Sequence, residues 1–220
     1  MSEWPELHIQ NVSLTRAETA SVFIGYAQRH PATLRYYDLR PDDTPDQVTV
    51  TDLGCMVLIN ARLSGDDAAT LLKYANAPHT DWTRFRPDLA ISDAVVDPAD
   101  RASDSPWQAM QEQYEILDRK GLGNAKITKL LHRKRPQLFP IVDSFVRRFY
   151  ATCGISRHHW EAIRRDVITN TGAFEQLRAT ASGHHDPDVQ QLAQLTDLRL
   201  IDIAIWSIID KGNRAHHDPA

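Results

Sequence analysis

Between Ser105 and Pro136 the sequence reads SPWQAMQEQYEILDRKGLGNAKITKLLHRKRP, and no other stretch constrains the fold as much. Ser105 can accept a hydrogen bond from the open amides of a helix start, and Pro106 suits the first helical position. Trp107, Met110, Tyr114 and Leu117 recur at spacings of three and four, which gathers them on one helical face. Gly121 supplies a stop. A second, short helix over NAKITKLLHRKR then ends before Pro136. Two helices joined by a tight GLG turn must find further apolar faces to pack against, because neither buries its own stripe.

The rest of the chain repeats the helical grammar. Ser13 can cap a helix through SLTRAETASVFIGYAQRH, with Glu18 in an early turn. RYYDLRPDDTPDQ is polar and broken by prolines, which predicts a loop. The apolar run around Leu53 to Ile59 predicts a buried helix capped by Thr51, although a buried strand has the same pattern. Ser64, followed by Asp66 and Asp67, opens another helix with Leu71, Leu72 and Tyr74 as core candidates. PHTDWTRFRPDLAISDAVVDPADRAS mixes turns with short helices. After Pro140 come DSFVRRFYAT, then SRHHWEAIRRDVIT and GAFEQLRATA as two separate helices. QLAQLTDLRLIDIAIWSIIDKG reads as a long central packing helix stopped at Gly212. No strand pattern recurs and no 20–50-residue repeat is visible. The expected fold is all-α, a compact two-lobed helical domain over residues 1–212. Its helix-hairpin-helix region spans about 105–150, and residues 213–220 form a frayed tail.

Several function classes drop out. No apolar run approaches the roughly 20 residues that a membrane span needs. The start MSEWPELHIQ lacks a basic end followed by an apolar run, so a cytoplasmic location is expected. Cys55 and Cys153 are too few and too far apart for a disulfide framework or a metal-ligand set, and buried thiols are expected. The pairs His158-His159, His184-His185 and His216-His217 rarely supply two ligands to one metal, because neighbours on a helix point about 100° apart, and HHDPD reads as a solvated turn in preference to a metal loop. Neither a metal nor a cofactor is expected. Trp160 and Trp206 read as core. GxxxxGK[ST], GxSxG and HExxH are all absent.

Charge is unevenly spread. Between Arg119 and Arg148 there are nine bases and one acid, Asp143, so that window carries +8 and the remainder -12 of a net -4. Such asymmetry fits either a localised anion-binding surface or a solvated face with partners across the fold. The GLG turn has matching chemistry. Gly121 and Gly123 permit backbone angles that a side chain forbids, and the helix behind them starts with unpartnered N–H groups that suit a phosphate oxygen. The amides around Asn124 to Lys126, with Lys120, Lys126 and Lys129, are the expected phosphate holders. Arg133, Lys134, Arg135, Arg147 and Arg148 are expected to widen the electropositive face. Asp143, after FPIV and before an amphipathic helix, can be a simple N-cap. It can also be a fixed negative charge that stabilises the oxocarbenium character built up when an N-glycosidic bond breaks.

The pattern GLG…ITKLL…PIVDSFVRR resembles the helix-hairpin-helix DNA glycosylase superfamily, which shows a GxG hairpin, an apolar helix and a VD aspartate opening another helix. Gly121 and Asp143 are 22 positions apart, as in endonuclease III-like members. The resemblance covers about 30–45 of the 220 residues. It implies DNA as partner, with Gly121 and Gly123 in the hairpin and Asp143 as the catalytic carboxylate. The chain also resembles, over more of its length, a bacterial family of unknown function carrying a KLLHRKRP…P…DS block and an LRLIDIAIW-like helix. Departures from the glycosylase pattern narrow the implied activity. Ala125 stands where bifunctional members have a nucleophilic lysine, and Lys126 is one step later, so no Schiff-base step is expected. DSF replaces DTH, RKG replaces LPG, and the four-cysteine cluster of several members is missing. What is implied is a monofunctional glycosylase. The alternative is a non-catalytic DNA-binding or helical protein-interaction module. Base flipping needs a wedge, for which Tyr36, Tyr37, Trp82 and Phe85 are candidates. Neither the base removed nor the oligomeric state follows from the sequence.

Overall fold

The computed structural model describes residues 3–94 and 105–215, and these are mostly helical. In chain order come a strand pair, β1 (Leu7–Ile9) and β2 (Val12–Leu14), then α1 (Arg16–Arg29), the short α2 (Pro31–Thr33) and a π-helical turn, Leu34–Asp38. The middle of the chain holds α3 (Val50–Val57), α4 (Gly65–Ala75), a 3-10 turn Trp82–Arg84, α5 (Pro106–Leu117) and α6 (Asn124–Lys134). It ends with α7 (Ser144–Thr152), α8 (His159–Ser182), α9 (Pro187–Gln190), a 3-10 turn Gln191–Gln194 and α10 (Asp197–Ala215). The fold is all-α, with one small antiparallel β-ribbon that pairs Leu7 with Leu14 and Ile9 with Val12. The chain divides into two compact units. A terminal unit joins Met1–Arg35 to Ser144–Ala220, and a middle unit is Tyr36–Asp143.

In the terminal unit the ribbon was not anticipated, because three-residue strands carry too little alternation to read. Two strands alone are unstable in water. Here α8 holds them. Gln10 turns the ribbon at φ 53 and donates from both its amide and its side chain to Asp166, while Asn170 brackets the backbone of His8. Asp166 is 4% exposed and also receives the Tyr150 hydroxyl at 2.7 Å. Burial of the phenol, and then the charge of that carboxylate, hold the Tyr150 hydroxyl far above its usual range. The cap of α1 is Thr15, in a reciprocal box with Glu18, and not Ser13, which lies in β2. α8 runs unbroken through Gly172, where two helices were expected. A mid-helix glycine costs only about 1 kcal/mol, and the buried Val167, Phe174, Leu177 and Ala181 outweigh it. α10 begins later than expected, at Asp197, and continues past Gly212. It packs on α1, α7 and α8 with Leu198, Leu200, Ile201, Ile203 and Ile205 buried, as a central helix should. Trp160 and Trp206 are half-buried at the edge of this core. Cys153 is half-buried, with Sγ 3.0 Å from Asn11 Oδ1, whereas Cys55 is buried in α3.

The middle unit is built around α6. α3 and α5 pack on it, and α4 packs on α3 and α5. Ile127, Leu130 and Leu131 of α6 are fully buried with Met56, Leu71, Met110 and Leu117. The apolar run after Thr49 is a helix, as preferred, but its cap is Thr49 in a box with Asp52, two residues before the expected Thr51. Ser64 and Ser105 cap α4 and α5 as expected. The expected loop after Arg35 begins with a π-helical turn. Residues 95–103 of the PHTDWTRFRPDLAISDAVVDPADRAS segment lie outside the described residues, as do 216–220 of the expected tail.

Candidate functional site

The helical hairpin forms as its glycines require. Gly121 adopts φ +94, a left-handed backbone that only a residue without Cβ holds comfortably, and open space surrounds the place of its missing Cβ. Leu122 is buried and anchors the turn, while Lys120, Gly121 and Gly123 on either side are exposed. Gly123 is the N-cap of α6 and offers no side-chain oxygen. Its carbonyl receives the amides of Lys126 and Ile127, so the amides of Asn124 and Ala125 precede the first helical bond and remain open at the helix end.

Asp143 is fixed to the same helix. Its Oδ2 lies 3.6 Å from Nζ of Lys129, which also donates to the Ile59 carbonyl at 2.7 Å. One residue earlier, the Val142 amide donates to the Thr128 hydroxyl, which donates in turn to the Asn124 carbonyl at the hairpin. From Gly123 to Lys129 is about 9 Å along the helix axis. The Asp143 side chain keeps 18% of its exposure, so the carboxylate is held without being sealed off.

The expected phosphate holders part company. Lys120 is exposed, and no carboxylate among the described residues pairs with it. Lys126 instead donates to Asp67 Oδ2 at 2.7 Å. That hydrogen bond, with the Ser64 amide, holds the Asp67 carboxyl down at about 2. Asp67 was read only as a helix-start acid, and its partnership with Lys126 could not be seen from positions 59 apart.

The expectation that Arg133, Lys134 and Arg135 widen an exposed electropositive face does not hold, because all three are buried and point inward. Arg133 reaches Asp52 at 3.4 Å and donates to the carbonyls of Tyr37, Arg40 and Pro41. Lys134, 3% exposed, pairs with Asp42 at 2.7 Å and Asp52 at 3.3 Å and donates to the Thr44 and Gln47 carbonyls. Arg135 pairs with Asp46 and donates to the carbonyls of Pro45, Trp82 and Phe85. The basic run therefore pins down the segment Tyr37–Gln47, supplying donors to backbone oxygens that would otherwise be desolvated unpaired. From sequence the acids of RPDD belong only to a polar, proline-broken loop. The available signal was that this acidic loop nearly balances the basic run.

Arg147 and Arg148 are exposed on α7 in the terminal unit. Among the wedge candidates Tyr37, Trp82 and Phe85 are buried, and Tyr36 alone is well exposed, at 54%. No group of three or more His, Cys, Asp or Glu side chains among the described residues is placed to hold a metal. Rings of His184 and His185 stack at 4.3 Å, and His184 accepts the Asp186 amide within a turn. None of the described helices is long and apolar enough to cross a membrane.

Residues 19–208 match DUF6308, described as a family of unknown function, and both KLLHRKRP and LRLIDIAIW lie inside the matched span. No curated protein and no solved structure matches the chain.

Proposed function

The chain belongs to the DUF6308 family, whose function is unknown, so no activity comes to it by descent; from its own residues we propose that it binds DNA through the glycine hairpin and cleaves an N-glycosidic bond with Asp143. What carries this reading is the tie between hairpin and carboxylate. A single helix, α6, presents the open amides at its start and holds Asp143 beside Lys129, 3.6 Å away. The amides of Asn124 and Ala125, with the exposed Lys120, grip a backbone phosphate. Asp143 then stabilises the sugar cation and orients the attacking water. Lys129, 3.6 Å away, fixes the direction of the carboxylate. With Ala125 at the lyase position, the bond breaks by hydrolysis alone.

Burial of the basic run makes the grip small. With about two phosphate contacts, the slope of log affinity against log salt is about -2. Asp143→Asn is expected to abolish base release from duplexes carrying a panel of modified bases and to leave duplex affinity intact. Undiminished release by that variant overturns the catalytic role. A wild type that binds but releases no base returns the reading to a non-catalytic binder, which the double engagement of Lys129 by Asp143 and the Ile59 carbonyl favours. Duplex affinity unaffected by Lys120→Glu overturns both.

A further inference from the structure

The terminal unit has an open surface pocket of about 350 Å³ lined by Ser144, Arg147, Arg148, Ala151, Ser156 and His159. The first four stand at helical positions i, i+3, i+4 and i+7 of α7 and so share one face. Ser156 and His159 come from the turn into α8. The lining thus offers two guanidinium forks, two hydroxyls and an imidazole, and no carboxylate.

A face of arginines on a helix is ordinarily balanced by acids three or four residues away. Asp143 stands four positions before Arg147, but its Oδ2 lies at Lys129, 3.6 Å away; Ser144–Trp160 contains no Asp or Glu, and no carboxylate among the described residues pairs with Arg147. The Arg148 guanidinium lies over the Phe145 ring at 5.9 Å, which steadies it. The turn leading out of the cavity is constrained too. His158 takes φ 55 and caps α8 without a side-chain hydrogen bond, so the first amides of α8, beginning at His159, lack a side-chain acceptor. Burial, then the charges of Arg147 and His158, hold the His159 pKa below its ordinary value, and its ring meets Tyr150 edge-on at 6.1 Å.

We propose that this cavity is a binding site for a phosphate monoester. Planar forks from Arg147 and Arg148 match phosphate oxygens two at a time, and the Ser144 and Ser156 hydroxyls complete the donor set. The volume exceeds what a bare oxyanion fills and accommodates an attached sugar or nucleoside. Such a group reaches the site either on a free nucleotide or as the terminal phosphate of a nucleic-acid strand. The site stands independently of the hairpin reading, because all its residues belong to the terminal unit.

The test titrates the full chain with adenosine monophosphate, with adenosine, and with one short single strand bearing either a 5′-phosphate or a 5′-hydroxyl. Binding at least tenfold tighter with the phosphate than without it, in either pair, supports the site. A preference confined to the mononucleotide names a free nucleotide, and one confined to the strand names a terminus. Arg147→Ala, at an exposed position, is expected to remove at least tenfold of that preference while circular dichroism stays unchanged. Arg147→Lys, which keeps the charge but loses the fork, is expected to fall between. No preference in either pair, or a preference untouched by Arg147→Ala, overturns the proposal. Lys120→Ala in the middle unit is expected to leave it intact, and a loss there instead assigns the phosphate to the hairpin and overturns the cavity.

Discussion

The cations of α6 and those of α7 are the same chemistry put to opposite uses. Lys129, Arg133 and Lys134, with Arg135 capping the end of α6, are buried against Asp42, Asp46, Asp52, Asp143 and a series of carbonyls. Arg147 and Arg148 are exposed beside a cavity, on a helix without acids. The difference teaches that a basic run is defined by its surroundings and not by its density. A desolvated cation survives only with partners, and once partnered it has little left to offer a ligand. An exposed cation that no buried carboxylate holds keeps more of its capacity to bind a ligand.

Three measurements break or sharpen that contrast. The largest effect is expected for Lys134→Met, which removes the cation 2.7 Å from Asp42, leaves Asp52 to Arg133 alone, and takes the donor from the Thr44 and Gln47 carbonyls. A loss of about 3–5 kcal/mol in unfolding free energy by chemical denaturation is expected. A loss under 1 kcal/mol would mean that the buried cluster is ornamental. A smaller effect is expected at the half-buried pair between these extremes. Lys126→Met should cost about 1 kcal/mol at neutral pH. The Asp67 carboxyl is depressed in the folded protein to about 2, below its unfolded value near 4. Its contribution is therefore complete above about pH 4 and disappears as pH falls toward 2, so the gap between variant and wild type should close on acidification. A gap that widens in acid reverses the assignment. The smallest effect is expected for Arg147→Ala, within about 0.5 kcal/mol of wild type. A larger loss would place Arg147 with the structural cations of α6.

Much of the fold was legible because helix signals are local. Ser64, Ser105, Pro106, Gly121 and the spacing of Met110 and Leu117 act within a turn or two, and all behave as read. The failures have one physical origin, the override of local signals by distant packing. Gly172 and Gly212 resemble stops but lie inside helices whose registers are set elsewhere. The ribbon at Leu7–Leu14 depends on Asp166 and Asn170, more than 150 positions away. At the site, the glycine turn could be read from sequence, since a left-handed φ is a local demand. Whether Lys134 or Lys120 faces water could not, since that depends on where the acids of residues 42–52 come to rest. The cavity beside α7 had a readable signature that charge counting over the wider window concealed, namely an acid-free stretch from Ser144 to Trp160.

The two ends of the chain build one unit around an intervening segment, and that sets an order of events during synthesis. Tyr26 finds Arg199 only after 173 further residues have left the ribosome. Tyr36–Asp143 has by then emerged in full, with all the partners of α6 available inside it. The intervening segment can therefore begin to pack on itself before the last helix of the terminal unit exists.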